Sequence, residues 1–514
     1  MTRKARSPLL VILAALVLPG TWMWFRSENW NIEDAANIDR LPHIRPDFSD
    51  AVIPPNIAPL NFVVQEPGTR FLVNIRSKHT TPIRVVSRSP KIEIPPQLWR
   101  SLLEANRGED LHFELYSQVE GRWQQFQSIN NRIAPHPIDG HLVYRLTGQI
   151  HNFWNEISIF QHDLATNEKL PVIEGKAIEH GCVNCHSFSN NRPNQMCIGM
   201  RSSQYGSGAI VVTNGEAKKL GRKLGYTTWH PSGRLAVYSI NKVRQFFHTA
   251  QSSVRDVIDM DSALEYFDVE TEQVSLIQQA SDRKRLETYP CWSPDGEHLY
   301  YCSAPILWED SDAVPPERYA EVKYDLMRIH YDLETDTWGE PELVLSAEKT
   351  GLSILQPRIS PDGKFLLFCM CRYGCFPIYQ PTSDLYIMDL ETREYMKPDI
   401  NSSSAEAWHS WSSNSRWIAF SSRRRGGVFT RCYLSFVDES GQAHKPFILP
   451  QNDPEAYDSL LKSMSVPELT SAPIPIDAQE MARVARSEDA FGVDAMSEAT
   501  TLVDMSEPWE PGHR

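Results

Sequence analysis

Basic residues are in deficit. In the 514-residue chain 51 Lys and Arg stand against 65 Asp and Glu, a formal net charge of −14. No basic stripe runs along the folded part that would neutralise phosphates or anionic lipid headgroups, which argues against nucleic acid as a partner. A hydrolase-type nucleophile motif is missing, and so is a lipobox cysteine after the N-terminal apolar run. Cysteine is sparse, nine in all, and the odd number means that they cannot all be paired. What remains, 41% apolar and 23% charged, is an ordinary globular composition, long enough for one large fold or two domains.

Arg3, Lys4 and Arg6 precede an apolar run from Pro8 to Phe25, broken at Pro19, Gly20 and Thr21. That is the layout of an export signal, and it places the bulk of the chain in the periplasm. Trp22, Met23, Trp24 and Phe25 occupy the places where small residues normally precede a cut. The reading therefore favours a retained inner-membrane anchor within residues 1–26 over a cleaved signal peptide.

A Pro-rich approach, Ile53 to Leu60, leads into alternating segments such as Phe71–Ile75 and Leu111–Leu115, which read as half-buried strands. Residues 27–134 are thus expected to form this approach and a small β-sandwich. From about residue 135 two turn motifs alternate. One is Trp229-His230-Pro231-Ser232-Gly233, repeated as Trp292-Ser293-Pro294-Asp295-Gly296, Ile359-Ser360-Pro361-Asp362-Gly363 and the degenerate Trp411-Ser412-Ser413-Asn414-Ser415. Proline presets φ and glycine permits a positive φ, so each is a tight turn. The other is a strand ending in an Asp-Leu-Glu-Thr-like turn, at Asp268–Thr271, Asp332–Thr335 and Asp389–Thr392, with weaker copies at Asp163–Thr166, Val211–Gly215 and Phe436–Asp438. Six copies, each with material for about four strands, predict an all-β, six-bladed β-propeller over 135–450. Residues 451–514 read as a short docking segment and an acidic mobile tail.

The segment Cys182-Val183-Asn184-Cys185-His186 matches what covalent c-type haem needs: two thiols for the vinyl groups and an adjacent imidazole for the iron. Cys182 and Cys185 are the candidate thioether pair and His186 the candidate proximal iron ligand. A disulfide or half of a zinc site is the competing reading; zinc would want a second pair nearby, where only Cys197 and His180 are close. Writing Cys185–Asn191 under Trp408–Asn414 aligns histidine, serine, aromatic and serine. That register puts the motif in the innermost strand of the second blade and the haem at one mouth of the central channel. The distal ligand stays open among His409, Met196, Met200, His230 and His248. Arg416, Arg423, Arg424, Arg425 and Arg431 could hold propionates or an anionic substrate. Cys291 and Cys302 flank a turn, where a disulfide across the hairpin is conceivable.

The Trp-Ser-Pro-Asp-Gly and Asp-Leu-Glu-Thr repeats resemble the six-bladed propeller of TolB-like proteins over roughly residues 200–450. Adding Ile53–Phe62, Leu142–Leu146, Gly181–Phe188, His409–Trp417, Ser421–Arg424 and Lys445–Phe447, the chain resembles a group of TolB-like, c-haem-containing exported bacterial proteins across nearly its whole length. That resemblance implies fold, export and one covalent haem c, but no established biochemical role. Three functions stay open: electron transfer or redox-linked binding with an envelope redox protein, a protein- or glycan-binding scaffold with a structural haem, and a haem peroxidase or oxidase. The last would need an acid or base near iron, for which His409 with Glu406 is the available pair. The reading favours a non-enzyme.

Overall fold

Each Trp-Ser-Pro-Asp-Gly-type turn joins the innermost strand of a four- or five-stranded sheet to the next strand outward. In the computed structural model, which describes residues 30–491 apart from 31, 149–156, 249–254, 310–312, 314 and 489, the turn glycines Gly233, Gly296 and Gly363 have φ of 79°, 79° and 74°. Their amides bond back to His230, Ser293 and Ser360 at 2.8, 2.9 and 2.8 Å. The degenerate copy closes the same way at Ser415, with φ of 62°. The second motif joins the third strand of a blade to the fourth. There the aspartate does the work: Asp389 Oδ1 accepts from the amides of Glu391 at 3.0 Å and Thr392 at 2.8 Å, and Asp163, Asp268 and Asp332 repeat the pattern.

Six sheets follow one another. Their innermost strands are Ser463–Thr470, Cys182–Ser189, Thr227–Trp229, Arg285–Trp292, Ser353–Ile359 and Glu406–Trp411, and these pack against one another in a closed circle. The protein is therefore a six-bladed β-propeller. Blade one combines His141–Thr147, Ser158–Asp163 and Lys169–Glu174 with Ser463–Thr470 from the far end of the chain. The ring thus extends beyond Pro450, where the sequence reading ended it, and part of the expected docking segment is a blade strand. Helix Ala478–Arg486 follows, capped by Asp477, whose carboxylate accepts from the Gln479 and Glu480 amides, a contact worth about 1 kcal/mol. Its Met481 and Val484 complete an apolar cluster with Val143, Ile159, Val183 and Met200 of blades one and two.

Residues 36–133 build a seven-stranded and a three-stranded sheet with one helix, Pro96–Ala105, between hairpins. Trp99 of that helix packs against Phe113, and its indole donates to the Ile57 carbonyl at 3.0 Å. The Pro-rich approach is buried where this domain meets the ring: Ala58 N donates to Leu164 O at 2.7 Å and Asn61 Nδ2 to Asn452 O at 2.9 Å. Below the approach, Trp417 Nε1 donates to His136 O, and Ser413 clasps the Asp139 carboxylate. One apolar core runs from Phe62 and Trp99 through to Trp417 and Phe447 of blade six.

All nine cysteines are free thiols. Cys302 pairs in register with Thr288 and Cys291 with Tyr300, and the two thiols enter different apolar clusters, so the conceivable disulfide does not form. Among the described residues no helix is long and apolar enough to cross a membrane. The apolar run from Pro8 to Phe25 lies outside them.

Candidate functional site

Residues three apart on a regular strand point to opposite faces, which would separate Cys182 from Cys185. The inner strand of blade two avoids this with a bulge. Asn184 pairs with Gly199 and Ser187 with Cys197, so one extra residue is inserted, and Cys185 takes it up in the left-handed region with φ of 56°. Both cysteines consequently line the same cavity, of about 260 Å³, at the start of the inner strands. The bulge belongs to the architecture: Tyr289, Gln356, Trp408 and Val466 hold the equivalent position in four other blades, with φ between 51° and 56°. Gly199, opposite the bulge, is required there, because a Cβ would come within 2.9 Å of Leu224 O and 3.1 Å of Asn184 O.

His186 also lines the cavity and is 3% exposed. Neither of its ring nitrogens has a hydrogen-bond partner, although the Val143 and Val466 backbones lie close by. Its counterpart in blade six behaves differently: His409 Nε2 bonds the Leu367 carbonyl at 3.1 Å. Burial, aided by the Arg145 charge, pushes the His186 pKa down to about 3, so the ring is neutral, the state in which imidazole ligates a metal. Burial likewise raises the Cys185 thiol.

The cavity is basic in an acidic protein. Arg145, Arg201, Lys223, Arg255 and Arg358 line it, against, among the described residues, the single carboxylate of Glu468. Arg145 is fixed by Nε to Ser465 Oγ at 3.1 Å and by Nη1 to Asn184 Oδ1 inside the haem-type motif. Burial and neighbouring Arg201 bring Lys223 down to about 8, and burial lifts Glu468, which accepts from the Phe188 amide, to about 7. The opposite wall is apolar and aromatic. Tyr226 lies 4.3 Å from Tyr289 and 5.6 Å from Trp408, ring to ring, so the three form one aromatic cluster at the level of the bulges. The Trp408 indole N–H has no partner.

Of the sequence candidates, the structure brings together Cys182, Cys185, His186 and Met200. Met200 lies across from Val183 in the neighbouring strand and packs with it. Met196 is buried in that cluster and does not line the cavity. His409 is wedged on Leu367, His230 bonds Ser232 and Gly296, and His248 pairs with Asp256 at 2.9 Å. Glu406, proposed beside His409 as an acid–base pair, instead accepts from Ser402, Ser422 and Arg424. The arginine run is mostly structural: Arg416 donates to Asp438 O, Arg425 pairs with Asp458 at 2.5 Å, and Arg431 donates to the carbonyls of Thr430, Leu460 and Lys462. Sequence reasoning missed Arg145, Lys223 and Tyr226 as cavity residues. Trp408 was within reach, since it aligns with Cys185.

Among the described residues no group of three or more His, Cys, Asp and Glu could hold a bare metal ion. A porphyrin brings four of its own nitrogens and asks less: two thiols on one wall, one neutral imidazole and cations for its propionates. The residues present fit that set.

No protein-family model matches the chain, and no curated protein matches it. Among solved structures it is similar to TolB from Acinetobacter baumannii, with a TM-score of 0.41 and 13% identity over 77% of this chain and 82% of that one. Oligogalacturonate lyase from Vibrio parahaemolyticus gives a TM-score of 0.33 and 13% identity over 73% of this chain and 100% of that one. These low scores carry no functional argument, and the propeller stands on the strand pairing itself.

Proposed function

We propose that the protein is an exported propeller that carries one covalent haem c on Cys182 and Cys185, with His186 as proximal ligand, and passes single electrons to or from an envelope redox protein. The observation that carries the reading is the bulge at Cys185, which turns both thiols into one cavity beside a buried imidazole with unpartnered nitrogens. Bound there, the haem would supply a one-electron redox centre. The chain's own residues do the rest. Arg145 holds Asn184 and so fixes the motif's backbone, Met200 is the candidate distal ligand that lines the cavity, and Tyr226 and Trp408 give the cavity an aromatic wall. Residues 8–25 would tether the chain to the inner membrane, and the acidic surface disfavours nucleic acid.

A second reading is ligand or peroxide chemistry, because among the described residues no histidine besides His186 lines the cavity. The optical and EPR spectra of protein made with the cytochrome c maturation machinery separate the two. A denaturing haem stain with a low-spin spectrum supports electron transfer, and a high-spin spectrum supports the second reading. Absence of the stain, or a stain unchanged in the Cys182→Ala/Cys185→Ala variant, would overturn both.

A further inference from the structure

Beside the cysteine cavity lies a second hollow of about 340 Å³, and the two share Arg145, Arg255, Tyr379 and Trp408. It is lined by three arginines, Arg145, Arg255 and Arg423, and by no carboxylate among the described residues. The chain does not lack acids, and some inward arginines find them: Arg424 meets Glu406 at 3.1 Å, Arg234 meets Asp268 at 2.7 Å. These three bond only neutral groups. Arg145 donates to Ser465 and Asn184, Arg255 Nη2 to the Tyr379 hydroxyl at 2.6 Å, and Arg423 to the carbonyls of Ile378 at 3.5 Å and Val428 at 3.1 Å. The Arg255 guanidinium also stacks 4.0 Å from the Tyr379 ring centroid.

A guanidinium cannot shed its proton at working pH, so three of them around one hollow repel one another with no carboxylate among the described residues to offset the cost. Burial, with Arg423 and Arg145 adding to it, draws Arg255 down to about 10, and burial lowers Arg423 as well. The hydroxyls of Thr147, Thr430, Ser463 and Ser465 add neutral donors around the rim. A planar fork of N–H donors facing empty space matches the paired oxygens of a carboxylate. We propose that Arg145, Arg255 and Arg423 form the seat of a ligand bearing carboxylate groups. The seat rests on the arginines alone and stands whether or not Cys182 and Cys185 carry haem. Its occupant is either the propionate edge of a haem in the adjoining cavity or a separate small carboxylate.

The test uses the full chain and malonate as the probe, read by calorimetry and thermal melting. In haem-free protein, malonate binds and raises the melting temperature. Arg255→Gln and Arg423→Gln each weaken binding by about tenfold or more, the loss expected for one charge-assisted bond, yet melt no lower than the parent without malonate. Arg423→Lys keeps part of the binding, and Arg424→Gln, which strips Glu406 of its partner, melts lower but leaves binding unchanged. In haem-loaded protein, retained malonate binding marks a separate small ligand, and abolished binding marks the propionates as occupant. No binding to the haem-free chain at millimolar malonate, or binding unmoved by both glutamine substitutions, overturns the seat.

Discussion

Glu287, in the inner strand of blade four, is 3% exposed and holds a carboxyl with one oxygen unpartnered. Its other oxygen lies 3.4 Å from Ser303 Oγ, Arg285 favours its charge, and Asp282 opposes it. Desolvation dominates and lifts its pKa from 4.5 to about 8. Between those values the folded chain keeps a proton that the unfolded chain has released, so stability falls as pH rises through this window and the loss is complete above about pH 8. At about 1.4 kcal/mol per pH unit the full penalty is on the order of 5 kcal/mol, of which about 4 falls between pH 5 and 8.5. Glu287→Gln removes the ionisation and preserves the shape. Urea unfolding of both proteins from pH 5 to 9 is expected to give curves that nearly coincide at pH 5 and diverge steadily, the variant gaining on the order of 4 kcal/mol by pH 8.5. Asp259, pushed up to about 7 by burial, titrates in the same range but is common to both proteins and cancels in the difference. Parallel curves would refute the argument, because they would mean that the carboxyl ionises in the folded protein without penalty.

Other outcomes follow from contacts already described. Glu406→Ala strips half-buried Arg424 of its carboxylate and the Ser402 and Ser422 hydroxyls of their acceptor, and is expected to cost about 1–3 kcal/mol by chemical denaturation. His409→Asn frees the Leu367 carbonyl and is expected to lower stability by about 1–3 kcal/mol while leaving the haem spectrum unaltered, since that ring does not line the cavity. Ending the chain at Ser459 removes the inner strand of blade one, and its circular dichroism melt is expected to lose cooperativity altogether. Leu469→Ala, at 1% exposure in that strand, is the milder probe, with an expected loss of about 2–5 kcal/mol.

Much of the ring was legible because its turns are chemical devices with fixed residue demands. Asp389 has to accept two amides and Gly296 has to reach a positive φ, so both leave a mark in sequence. The last strand escaped because no such turn follows it. It has its own signature nonetheless: Val466-Pro467-Glu468-Leu469-Thr470 matches Gln356-Pro357-Arg358-Ile359-Ser360, with proline just after the bulge, where the missing N–H costs nothing. Cys182, Cys185 and His186 stood out because covalent haem attachment would demand that spacing, and the structure places all three on one cavity. Arg145, Lys223 and Arg255 were not, because they meet only when blades one, two and three are set side by side. His409 misled for an instructive reason: it shares its register with His186, and equivalent positions in a propeller look into equivalent but separate clefts.

Blade one is stitched from strands more than three hundred residues apart, Arg145 to Ser465 among the pairs. Closing so long a loop is slow, and the circle cannot shut until the end of the chain has been delivered. During synthesis, therefore, the neighbour that finally walls in His186 is the last to arrive. Until then the Cys182–His186 segment borders an open gap, and its thiols are within reach of any agent that acts on them. Order of assembly would then decide what the finished ring contains, with closure acting as the lock on chemistry completed beforehand.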